Sequence, residues 1–180
     1  MLEKMERGNP ANLKNFVTGF VTPFILLPLV VVAYLAFGMA DTRSDVKLPW
    51  WESAILKPAV RAAVRRNAAK LSAPGVATEN SIIAGGRLYV MGCMGCHGEP
   101  GKPYAEDHAN YPPAPQLPHV GTQYSEPEIY SIIKHGIRMT AMSAYGPFYK
   151  EEQLWSLAAF IRRINTLTPS EIQAIQAQKR

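Results

Sequence analysis

The chain has 180 residues, 47% of them apolar and 18% charged, which is room for one modest folded domain and a further segment. The net charge of +5 is unevenly placed: residues 1–78 hold ten Lys/Arg against five Asp/Glu, whereas residues 79–167 hold seven against eight. The basic excess hugs an apolar span and lacks interleaved aromatics, which argues against a nucleic-acid footprint, and a near-neutral body argues against strong steering of a soluble partner.

A polar head, residues 1–15, precedes "FVTGFVTPFILLPLVVVAYLAFGMA", residues 16–40, which carry no charge. As a helix this stretch spans roughly 37 Å, enough to cross a hydrocarbon core of about 30 Å. Pro23 and Pro28 lie inside it; membrane helices tolerate such prolines when neighbouring helices satisfy the freed backbone groups. The rival reading is a cleaved signal peptide, with Gly38, Met39 and Ala40 as the small-residue site, but the apolar run exceeds the usual signal core of about 7–15 residues. Lys4, Arg7 and Lys14 before the span balance Arg43, Lys47 and Lys57 after it, so basic residues do not orient it.

Residues 41–78 read as a connector. Pro58 is suited to open a helix in which Val60, Val64, Asn67 and Leu71 form a narrow stripe, flanked by Lys57, Arg61, Arg65, Arg66 and Lys70. Such a helix lies on anionic headgroups, docks on a partner subunit, or is a solvated spacer. Trp50 and Trp51 suit a membrane interface or a partner contact. "LSAPGVATEN" has the composition of a linker.

The body, residues 79–167, opens with an amphipathic helix, "ENSIIAGGRLYVMG", that runs into Cys93 and Cys96. The proline-rich stretch with Pro112, Pro113, Pro115 and Pro118 is expected to be irregular loop. A second helix starts at Glu126, with Ser125 and Glu128 as a capping box, and ends at Gly136. A third, "KEEQLWSLAAFIRRI", is acidic in its first turn and basic in its last. In the tail, residues 168–180, Thr168, Pro169 and Glu171 start a short helix. No strand and no repeat is legible, so the fold class is all-α.

The chain's two cysteines stand in Cys93-Met94-Gly95-Cys96-His97. A zinc site needs a second ligand pair, and His108, His119 and His135 are scattered without that spacing. A redox dithiol follows a strand, and a disulfide across three residues staples nothing distant. Haem attachment uses all three residues: two thiols add to the vinyl groups, and the next imidazole binds the iron. From average composition alone, such a motif arises in a chain of this length less than about once in a thousand. Met91 and Met94 flank the motif too closely to reach round the ring, which leaves Met139 and Met142 as opposite ligands.

Residues 80–165, through "CMGCH" and "GIRMTAMSAYG", resemble the class I (mitochondrial-type) bacterial c-type cytochromes, whose "GIxxTxMPAxG" loop supplies an axial methionine. The resemblance implies a helical cytochrome c fold around one covalent haem c, with Cys93 and Cys96 as attachment points and His97 and Met142 as iron ligands. It implies that a proline carbonyl orients the proximal imidazole, and "PAPQL" offers Pro115 and Leu117 as pocket residues. Ser143 stands where the family has proline, which bears on the stiffness of the loop. The family also crosses its first and last helices through a glycine and an aromatic, for which Gly85 and Tyr89 would meet Leu157 and Phe160.

Such haems are attached outside the bacterial inner membrane, so the resemblance places the body in the periplasm and the head in the cytoplasm. The implied function is one-electron transfer by a membrane-tethered monohaem subunit of a respiratory or photosynthetic complex, with redox donor and acceptor proteins as partners, and not catalysis. The rivals are a peroxidase-like enzyme or gas sensor with an open iron position, a subunit whose haem is mainly structural, and a soluble carrier freed by cleavage.

Overall fold

The computed structural model of the chain describes residues 10–40, 43, 46, 49–105 and 110–177. The expected head, apart from residues 10–15, and His108 lie outside the described residues. Among the described residues all regular structure is helical. The chain divides into two units, residues 1–43 and 44–180.

In the first unit the described residues form one helix, α1 (Pro10–Ala36), with Pro23 and Pro28 inside it. Its apolar stretch Thr18–Ala36 is long enough to cross a bilayer, and the described side chains from 15 to 36 are exposed. The helix stops four residues short of the expected Ala40 because Gly38 takes φ +66°. There Gly38 N–H donates to Leu35 O and Met39 N–H to Tyr34 O, both 3.1 Å, a Schellman closure.

The second unit comprises α2 (Trp50–Ala68), α3 (Glu79–Gly92), α4 (Met94–His97), α5 (Leu117–Val120), α6 (Glu126–His135), α7 (Glu151–Arg163) and α8 (Pro169–Gln176), with a 3-10 turn at Ile164–Thr166. Local signals account for most of the ends. Thr78 accepts from the Ser81 N–H at 3.2 Å to start α3. Glu128 accepts from the Ser125 N–H at 2.7 Å at the start of α6, and Glu171 from the Thr168 N–H at 2.7 Å at the start of α8.

The core is the crossing of α3 with α7. A Cβ on Gly85 would collide with the Ser156 carbonyl and stand 2.9 Å from Leu157 N, so only glycine allows the two backbones this close. One turn on, the rings of Tyr89 and Phe160 meet at 5.3 Å, and Tyr89, Leu157 and Phe160 are fully buried. Gly86 receives Ile175 of α8. On the other side, α6 packs on α7 through Tyr130, stacked on Trp155 with centroids 4.1 Å apart. Trp155 is thus a core residue.

Three expectations need correction. Pro58 does not open the connector helix; α2 begins eight residues earlier at Trp50, with Pro49 before it, and Pro58 lies inside. Proline removes one backbone donor, and the packing of the later turns holds the helix together. Nor are residues 41–78 and 168–180 mere connector and tail outside a body of 79–167. Val64 and Ala68 are buried where α2 packs on α6, and Ile175 joins the core, so one compact unit runs from 44 to 180. Finally, the proline-rich stretch is not wholly irregular. Leu117–Val120 form a helical turn with Pro118 in its first turn, where proline's missing donor is not needed.

Candidate functional site

Tyr89, buried at the α3–α7 crossing, has its hydroxyl beyond the end of α3. It donates to His97 O at 3.0 Å and Gly98 O at 2.7 Å, the carbonyls that end α4. Burial above all pushes the phenol far above its ordinary range, so it stays a donor. Cys93 N–H donates to Tyr89 O at 2.8 Å and His97 N–H to Cys93 O at 2.9 Å, which makes Cys93 through His97 one tight helical turn. That turn places Cys93 half-buried and Cys96 exposed, both as free thiols.

The chain then leaves at Gly98, φ +87°, where a Cβ would stand 2.5 Å from Gln116 Oε1. Gln116, 6% exposed, donates from Nε2 to Cys96 O at 2.9 Å. Its neighbour Pro115 accepts from His97 Nδ1 at 3.0 Å. A ring held through Nδ1 in this way is fixed in tautomer and orientation, with Nε2 left for a ligand bond. Leu117 is buried in the core, while Asn110 Nδ2 lies 3.7 Å from Cys96 Sγ.

Met139 and Met142 differ in setting. Met139 takes φ +62° and is 91% exposed. Met142 is half-buried in a loop closed on itself: Ile137 N–H donates to Met142 O at 3.0 Å, and Thr140 Oγ1 accepts from Met142 N–H at 3.1 Å while donating to Ile137 O at 2.8 Å. Gly136, φ +68°, lets Met142 O approach to 2.6 Å of where a Cβ would be. Beyond the methionine, Tyr145 N–H donates to Ile133 O and Gly146 N–H to Lys134 O, pinning the loop to α6. Ser143 in place of proline therefore leaves a loop held by its own hydrogen bonds.

Tyr145 links this loop to the thiols by donating from its hydroxyl to Gly92 O at 3.1 Å, and its ring stacks on Tyr149 at 5.8 Å. Of the other histidines, His119 is exposed with its ring against Tyr104, and His135 ends α6 exposed. Among the described residues no group of His, Cys, Asp and Glu suits a metal ion held by protein donors alone. Burial, and then the charge of Cys96, pushes the Cys93 thiol up to about 11.

Residues 80–161 match the family described as cytochrome c oxidase, cbb3-type, subunit III. They form a c-type cytochrome domain. Among curated proteins and among solved structures, no match to the chain is found.

A cytochrome domain of this type carries covalently bound haem c, and the residues present fit it. Cys93 and Cys96 are unpaired thiols one helical turn apart, and the adjoining imidazole has one nitrogen engaged and the other available. Sequence reading singles out these three residues and Pro115. It takes Tyr89 for a packing anchor and misses its hydroxyl's bonds. It also misses Gln116 and Tyr145, for which the sequence holds no local signal, since their partners lie 20 and 53 residues away.

Proposed function

We propose that the chain is a membrane-tethered monohaem electron carrier and a subunit of an oxidase-type respiratory complex in the bacterial inner membrane, with its cytochrome domain in the periplasm. The observation that carries this reading is the bond from His97 Nδ1 to Pro115 O, which leaves Nε2 to bind iron beside the two thiols. Bound there, haem c would supply a one-electron redox centre for exchange between donor and acceptor proteins.

The protein's own residues do the rest. Cys93 and Cys96 would hold the haem through thioether bonds, and His97 would ligate its iron with a basicity raised by the Pro115 carbonyl. Met142 would supply a thioether ligand, a soft donor that favours the ferrous state and raises the potential. Tyr89 and Gln116, through the carbonyls of His97, Gly98 and Cys96, keep the attachment turn from shifting between redox states. The loop bonds around Thr140 and Gly136 support the same rigidity on the methionine side. The α1 helix serves as anchor, which makes the haem a fixed relay.

The test is Met142→Leu in the holoprotein. Its thioether-to-iron charge-transfer band is lost, its potential falls and carbon monoxide binds the ferrous form rapidly, whereas Met139→Leu leaves all three unchanged. Rapid carbon monoxide binding by the untreated ferrous protein would instead assign an open iron site and a catalytic or sensing role.

A further inference from the structure

The amino-terminal half of α2 is an apolar surface that its own fold leaves uncovered. Trp50, Trp51, Ile55 and Leu56 are 82%, 53%, 63% and 50% exposed. Trp51, Ile55, Ala59 and Ala62 recur at spacings of three and four, so they share one helix face, and all four are exposed. That face is turned from Val64 and Ala68, which are buried against the body. Arg66 continues the same row, and Arg65 and Lys70 flank it, all exposed. The helix holds four basic residues against one acid, Glu52, whose carboxylate is taken by the Tyr111 hydroxyl at 3.1 Å.

We propose that this face is a docking surface for an anionic lipid interface, with Trp51 and Ile55 at the boundary of headgroups and acyl chains and Arg66 and Lys70 on lipid phosphates. The proposal rests on reading α1 as a retained membrane span. Charge complementarity and composition select lipid as the occupant: a tryptophan with an apolar body and a polar N–H, an aliphatic residue one turn on, and exposed basic residues that continue the same row suit an interface of anionic headgroups.

The test uses full-length holoprotein in lipid nanodiscs, with a single spin label at Ile55→Cys, Leu27→Cys or Val76→Cys. Haem attachment consumes Cys93 and Cys96, so each introduced thiol is labelled alone. Leu27 lies in α1, and Val76, 97% exposed between α2 and α3, is the aqueous reference. The readout is the ratio of collisions with oxygen to collisions with a water-soluble nickel chelate. In discs containing phosphatidylglycerol the ratio at Ile55 is expected several-fold above that at Val76, falling toward the Val76 value in purely zwitterionic discs while Leu27 stays high. A ratio at Ile55 equal to that at Val76 in the anionic discs, with Leu27 high, overturns this proposal and leaves the span standing. Protection of Ile55 from both reagents marks protein contact and overturns it too, as does a ratio that ignores lipid charge. A low ratio at Leu27 sinks the span and this proposal together.

Discussion

Tyr89 and His97 are joined twice: through the backbone bonds that wind Cys93 onto Tyr89 and His97 onto Cys93, and through the Tyr89 hydroxyl, 3.0 Å from His97 O and 2.7 Å from Gly98 O. One side chain thus fastens the attachment turn to the α3–α7 crossing, the most buried part of the core. The packing that stabilises the domain also sets where the imidazole sits.

Tyr89→Phe keeps the ring against Phe160 and removes only the hydroxyl. Two carbonyls then lose a donor, at a cost of about 2 kcal/mol. Equilibrium denaturation of the holoprotein should show a lower midpoint with an unchanged slope. An unchanged midpoint would mean that the attachment turn stands without this tie.

Gly85→Ala acts at the crossing itself. The new methyl meets backbone on the facing helix and not a movable side chain, so α3 and α7 must part, at a cost of about 3 kcal/mol or more. For a unit of this size that lowers the melting temperature by roughly 10 °C. A melting temperature equal to the parent's would refute the close approach.

The α8 cap makes stability depend on pH. The Thr168 backbone N–H, then its hydroxyl, then Arg163 hold the Glu171 carboxyl below its ordinary range. A folded-state value below the unfolded one stabilises the fold above the unfolded value, near 4.3, and that contribution is lost as pH falls through the lowered folded value. The melting-temperature gap between the parent and Glu171→Gln should be open at pH 7 and narrow progressively as pH falls below the unfolded value of about 4.3. A gap that stays constant across that range would remove the carboxylate from the account.

Helix ends were legible wherever the deciding contact is local. Ser125 with Glu128, Thr168 with Glu171, and the glycine after His135 each act within one turn, so the residues name the cap without knowledge of the fold. Pro58 shows the limit. By local chemistry it opens a helix, but α2 runs through it because Val64 and Ala68, further along, are buried where it packs on α6. Pro118 is similar: α5 forms in a proline-rich stretch, and a Cβ on the Gly121 that follows it would stand 2.7 Å from the Asn165 side chain, just past α7.

The attachment motif, the apolar span and the all-helical plan were determined by the sequence alone, because each rests on residues within a few positions of one another: two thiols and an imidazole at fixed spacing, an uncharged run, caps one turn long. Tertiary structure alone decided that α2 and α8 belong to the folded unit and that Tyr145 and Gln116 bond to Gly92 O and Cys96 O at the two ends of the attachment turn. Those bonds join groups twenty to more than fifty residues apart. Such distances close only when the α3–α7 crossing has formed, since until then the entropy of the intervening loops keeps the partners apart.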